Sequence, residues 1–185
     1  RRARRSAGKR IGSDSSAVWR AFRPRAIIRR LAAPGPLFLS RDLGGLRLHL
    51  HRTRAFKTVF VKLAFHADLD AGTAARALVP RVLGRGTRSM PSLKALQERL
   101  DEMFGASLAG EPRKVGERHL VVFRAECLAD RVAGRPLLAE TARLLGELLH
   151  APAVDADGGL RAEVVEQERK LMADEAAAVF DDKAR

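Results

Sequence analysis

The segment from Thr58 to Phe65 alternates between two sets of side chains, and this pattern constrains the fold more than any other. One set is apolar throughout, namely Val59, Val61, Leu63 and Phe65. A period of two residues is that of a half-buried β-strand. Leu46 to Leu50 shows the same alternation after the turn residues Gly44 and Gly45. Because residues 51–57 form a short connection, the sequence predicts an antiparallel hairpin of these two strands.

Helical spacing of apolar residues begins further along the chain. The interval from Gly72 to Leu83 predicts a helix that is kinked or ends at Pro80, since an internal proline costs about 3 kcal/mol or more. Leu93 to Phe104 carries an apolar stripe behind Ser92, a predicted N-cap, and Gly105 can terminate this helix. Two further helices are predicted, one opened by Pro136 and closed at residues 150–152, and one from Leu160 to Arg185.

Two more strands are predicted between these helices. They cover Gly105 to Leu108 and Glu117 to Glu126, with Glu111 to Gly116 as their turn. The resulting order is β-β-α-α-β-β-α-α. It predicts the α+β class, with an antiparallel sheet and helices packed on one face.

Positive charge is concentrated at the start of the chain. The net charge is +13, yet residues 1–34 alone carry eleven Lys and Arg against the single acid Asp14. We therefore predict a basic, disordered arm over residues 1–36 and a folded domain over residues 37–185. An arm of this composition also leaves open a binder of nucleic acid or of an anionic membrane surface, acting through Arg1 to Arg30.

Other classes of protein are excluded by composition. With one cysteine among 185 residues, the chain is neither a disulfide scaffold nor a zinc finger. Its apolar stretches are far shorter than the ~20 residues that a transmembrane helix needs. The first residue is Arg1, and Arg185 falls inside an unfinished apolar-periodic run, so we expect a fragment of a longer protein. We also expect the protein to be cytoplasmic.

In order and spacing, these elements resemble the N-terminal half-domain of the pitrilysin/insulinase family, which includes the mitochondrial processing peptidases. The opening strand matches at Gly45 to Leu50, and a glycine-threonine turn after the metal-binding helix matches at Gly86 and Thr87. A later helix ending near a proline matches at Leu144 to Pro152. A charged helix matches at Glu166 to Lys170.

The resemblance also places the family's zinc motif, which reads His-x-x-Glu-His in catalytic members. Counted back from the Gly86-Thr87 turn, the two histidines and the glutamate fall on Ala77, Arg81 and Pro80 respectively. None of these can do the chemistry, because alanine has no donor atom, proline has no carboxylate and a guanidinium repels a dication. The motif is degenerate, and the resemblance implies no catalytic residue and no bound zinc.

The third zinc ligand of the family is a glutamate on a later helix. It matches Glu168 or, with a slightly different gap, Glu166, which makes Glu168 a vestigial ligand position. The alternative is that Glu166, Glu168 and Glu175 form a solvated charged face.

Two other candidate sites remain. His49 and His51 lie on one face of a strand, but no Glu or Cys stands at a spacing that completes a metal site. Cys127 has no basic activator beyond Arg124, so we expect a buried thiol and not a nucleophile.

The resemblance implies a non-catalytic subunit that assembles with an active insulinase-like peptidase and holds unfolded peptide. The segment from Phe180 to Lys183 is similar to that of bacterial inactive homologues encoded beside an active partner. An active zinc endopeptidase with ligands outside this fragment stays open as an alternative, as does a fragment without activity of its own. No specific nucleic acid is expected as a partner of the folded domain.

Overall fold

A computed structural model of the chain describes residues 38–183. The predicted arm over residues 1–36, and its boundary with the folded domain, lie outside the described residues. The chain divides into two compact units between Arg54 and Ala55.

The described part of the first unit is a β-hairpin. Strands β1 (Phe38–Asp42) and β2 (Arg47–His51) run antiparallel, with Phe38 opposite His51. The turn between them contains Gly44 at φ +67° and Gly45 at φ +94°, backbone conformations that glycine adopts without strain.

The predicted hairpin of Leu46–Leu50 with Thr58–Phe65 is wrong. β2 pairs with β1, a strand that the sequence analysis did not predict, and Thr58–Phe65 belongs to a different sheet. The physical reason is the position of the Gly-Gly turn, which joins β2 to the segment before it and closes a hairpin over four residues.

The second unit contains a three-stranded antiparallel sheet. Its strands are β3 (Thr58–Asp68), β4 (Ser107–Val115) and β5 (Arg118–Leu128), in the spatial order β3-β5-β4. The predicted turn over residues 111–116 is wrong, since β4 continues to Val115 and the turn consists of Gly116 and Glu117. Pro112 is accommodated because β4 is an edge strand in the described sheet, where a missing N–H is tolerated.

Five helices are described in this unit. They are α1 (Thr73–Leu83), α2 (Leu93–Glu102), α3 (Asp130–Ala133), α4 (Leu137–His150) and α5 (Ala162–Lys183). The predicted cap of α2 is confirmed, because Ser92 Oγ accepts a hydrogen bond of 3.2 Å from Ala95 N. α1 does not end at Pro80 but continues to Leu83. α3 was not predicted, since four residues are too few to show a period.

The core lies between one face of the sheet and the helices. Alternate residues of β5, among them Val121, Phe123 and Cys127, are buried on that face. Phe123 packs with Leu83 of α1 and with Leu145 and Leu148 of α4. Cys127 packs with Leu96 and Leu100 of α2 and with Leu137 and Leu144 of α4. The predicted α+β class, an antiparallel sheet with helices on one face, is confirmed.

Candidate functional site

The three degenerate motif positions all lie on α1. Ala77 and Arg81 are four residues apart and therefore share one side of the helix. The Pro80 side chain is fully buried, with its Cβ so close to Gly110 of β4 that a Cβ there would lie 2.7 Å from it. The proline ring thus fills the space between α1 and the edge strand, where the resemblance would put a general base.

Glu168 lies on α5 opposite Arg81. Its side chain is 4% exposed, and Arg81 Nη1 is 3.7 Å from its Oε2. A second guanidinium, that of Arg85 one turn after Arg81, donates from Nε to Glu168 Oε1 at 2.5 Å and also pairs through Nη2. The structure therefore brings two of the predicted positions, Arg81 and Glu168, into one ion-pair cluster with Arg85.

The spacing of residues along α1 and α5 explains why these charged groups meet. Val164 and Glu168 are both buried and stand four residues apart on α5, so the face that packs inward carries the carboxylate. Arg81 and Arg85 are also four residues apart, Arg81 in the last turn of α1 and Arg85 just after its end. The solvated-face interpretation is consequently wrong for Glu168.

The other two glutamates lie toward solvent. Glu175 is 60% exposed and pairs with Arg81 Nη2. Glu166 is 63% exposed and pairs with Arg169 at 2.7 Å, and the hydrogen bond from this guanidinium lowers the pKa of the Glu166 carboxyl.

The residues at this site do not fit a zinc ion. A catalytic zinc takes three protein ligands, and of the positions that the resemblance assigns to the motif, only Glu168 has a suitable donor. Its carboxylate is already held by two guanidinium groups, whose fixed positive charges oppose a dication. Within residues 38–183, no group of three or more His, Cys, Asp or Glu is arranged to hold a metal.

The remaining sequence candidates have other partners. His49 Nδ1 lies 2.8 Å from Ser40 Oγ, and the His51 ring lies 4.7 Å from that of Phe38. Cys127 is buried as expected, and burial raises the pKa of its thiol.

A second polar cluster, which the sequence analysis missed, fixes the loop after α1. Glu147 of α4 accepts hydrogen bonds from Thr87 Oγ1 at 2.8 Å, from Ser89 N at 3.2 Å and from Ser89 Oγ. Burial opposes ionisation of Glu147, but these donors outweigh it and lower the pKa of its carboxyl. The signal in the sequence was the Gly86-Thr87 turn, although nothing in the pattern pointed to Glu147 sixty residues away.

Comparison with known proteins finds a curated relative of this chain. The chain is 38% identical over 145 residues to a curated protein of Bacillus subtilis (strain 168) named "Probable inactive metalloprotease YmfF". This chain is a homologue of a metalloprotease named as inactive. The match covers 77% of the chain and 34% of that relative, so the chain spans about a third of the relative's length.

The fold is also found in a solved structure. A conserved protein from Enterococcus faecalis V583 superposes with a TM-score of 0.75 and 26% sequence identity. The match covers 80% of this chain and 35% of that protein. No protein-family profile matches the chain.

β4, which lies beside α1, is an edge strand of the described sheet. β4 pairs with β5 along one side, and on its other side no strand is paired within the described residues.

None of the helices described is long and apolar enough to cross a membrane.

Proposed function

We propose that this chain is the N-terminal half-domain of a non-catalytic insulinase-like subunit, which assembles with an active peptidase and holds unfolded peptide. The observation that carries the proposal is the ion-pair cluster of Glu168 with Arg81 and Arg85. The resemblance puts the third zinc ligand at Glu168, and the structure surrounds that carboxylate with cations of the protein itself. The name of the Bacillus subtilis relative supports the non-catalytic part of this proposal.

The proposed peptide-binding surface is the edge strand β4, which needs no bound metal. β4 presents nine residues of edge strand, Ser107–Val115, and an extended peptide can add to such an edge through main-chain hydrogen bonds. α1 lies directly against this strand, because Pro80 contacts Gly110. A peptide on β4 would consequently run past the degenerate positions without meeting a nucleophile.

Metal content separates this proposal from an active zinc peptidase. The purified chain is equilibrated with excess zinc and passed through a desalting column, and bound zinc is measured by inductively coupled plasma mass spectrometry. We expect far less than one ion per chain, at the same level as the Glu168→Gln variant. Stoichiometric zinc in the wild-type chain, lost in that variant, would contradict the proposal.

Assembly is tested by co-expression with an insulinase-like subunit that has an intact His-x-x-Glu-His motif. We expect the two chains to co-purify, and peptide hydrolysis to be found in the complex and not in this chain alone. Chelator-sensitive hydrolysis by this chain without a partner would show that it is itself the catalyst.

The peptide position is tested by site-directed photo-crosslinking. A benzophenone attached at Arg113→Cys on β4 is expected to label a bound unfolded peptide, because this side chain lies on the edge strand. The matched control is Glu98→Cys on the exposed face of α2. Equal labelling from both positions would exclude β4 as the binding edge.

A further inference from the structure

Among residues 38–178, Glu168 is the one acidic side chain that is buried. A buried carboxylate is costly unless an opposite charge and hydrogen bonds compensate it. Both are present, since Arg85 donates from Nε to Oε1 and forms an ion pair with it through Nη2, while Arg81 lies beside Oε2. The charge of the buried carboxylate is thus neutralised entirely by side chains that come from the α1 region.

These contacts join two elements that are far apart in sequence. Arg81 lies in the last turn of α1, Arg85 follows its C-terminus, and Glu168 is in the first half of α5. A metal ion bound between the same helices would make the same kind of link. The arginines therefore supply two properties of a bound cation, positive charge next to Glu168 and a bridge between helices.

We propose that Arg81 and Arg85 take the place of a metal ion at this site, and that Arg85 by itself keeps zinc out even if the histidine positions of the motif are restored. This inference rests on the proposed function, because that function places the zinc motif on Ala77 and Arg81. It goes further in assigning a role to Arg85, which lies outside the motif. The physical reason is that Arg85 would both occupy Glu168 Oε1 and repel the dication across a few ångströms of partly buried space.

The test compares two engineered zinc sites. Ala77→His with Arg81→His supplies two imidazoles on one face of α1 and leaves the buried Pro80 untouched. Adding Arg85→Gln frees the Glu168 carboxylate. Zinc affinity is measured by competition with a chromogenic chelator, and circular dichroism confirms that each variant is folded.

We expect the triple variant to bind one zinc at least about tenfold more tightly than the double variant, since removal of one adjacent positive charge is worth that much or more. Replacing Arg85→Gln by Arg85→Lys should leave affinity at the level of the double variant, because the charge is kept. Adding Glu168→Gln to the triple variant should abolish binding.

Two results would overturn the inference in distinguishable ways. If the double variant binds zinc as tightly as the triple one, Arg85 is no barrier, while the placement of the motif and the proposed function stand. If neither variant binds zinc although both are folded, Ala77 and Arg81 are not at ligand positions, and the family placement behind the proposed function fails as well.

The ion pairs of Glu168 that join α1 to α5 are tested separately, by thermal unfolding. We expect Glu168→Gln to lower the melting temperature of the wild-type chain by roughly 5 °C or more, since it removes the carboxylate that pairs with Arg85 and one of the two that pair with Arg81. The matched control is Glu166→Gln on the same helix, an exposed pair whose loss should cost less than about 1 °C. Equal shifts for both variants would show that Glu168 provides no link between α1 and α5.

Discussion

Pro80 of α1 and Gly110 of β4 are in direct contact, and this contact explains why each residue is tolerated at its position. A Cβ placed on Gly110 would lie 2.7 Å from Pro80 Cβ and 3.1 Å from the Phe123 ring. The glycine therefore lets α1 approach β4 closely enough to bury the proline ring. This packing accounts for a helix that passes through a proline, because the buried ring offsets part of the cost of the missing hydrogen bond.

Gly110→Ala should destabilise the chain by about 1–3 kcal/mol, the usual cost of forcing extra volume into a packed core. The measurement is urea unfolding followed by circular dichroism. Ser107→Ala, on an exposed position of the same strand, serves as the control and should change stability little. A neutral Gly110→Ala variant would mean that α1 and β4 can separate without cost.

Acid should weaken the contact between Glu147 and the Thr87 loop. The folded-state pKa of Glu147 lies below its ordinary value, so its contribution is present above about pH 4.5 and is lost as the pH falls through the folded-state pKa. Urea unfolding between pH 3 and pH 7 should show a smaller loss of stability on acidification for Glu147→Gln than for the wild type. Glu126→Gln, which makes the same replacement at an exposed position of β5, is the matched control.

Thr87→Val tests the same cluster at neutral pH. Thr87 is fully buried, and its hydroxyl donates to Glu147 while it accepts from Met90 N. Loss of both bonds with little change in shape should cost about 1–3 kcal/mol. Thr87→Ser, which keeps the hydroxyl, should recover most of that loss, and a failure to do so would assign the effect to the methyl group.

Cys127 should react slowly with thiol reagents in the native protein. The thiol is buried in the contact between β5 and helices α2 and α4, and burial raises its pKa, so little thiolate is available. Labelling with a chromogenic disulfide should proceed at the rate of a free thiol only in denaturant. Rapid labelling of the folded chain would show that α2 and α4 open readily.

Local patterns were enough to predict several elements. The Ser92 cap and the apolar stripe of Leu96 and Leu100 specified α2, because capping and helical period both act within one or two turns. The alternation of β3 likewise required only the order of its own residues. The lack of donor atoms at Ala77 and Pro80 is also a property of the sequence itself.

Strand pairing was not specified by the alternation of apolar residues alone. β2 is compatible with either β1 or β3 as a neighbour, and the Gly44-Gly45 turn selects β1. β4 extends through Pro112 because only its position at the sheet edge makes that proline tolerable. An edge position becomes known when the whole sheet is assembled.

The sequence by itself determined that the side chains of Ala77, Pro80 and Arg81 can neither bind zinc nor activate water, since side-chain chemistry is fixed residue by residue. Tertiary structure alone decided what holds the remaining carboxylate. Arg85 and Glu168 are 83 residues apart, and their contact depends on how α1 and α5 pack. The same charged residues could have faced solvent if α1 and α5 packed differently. They form a buried ion-pair cluster because the two helices pack against each other.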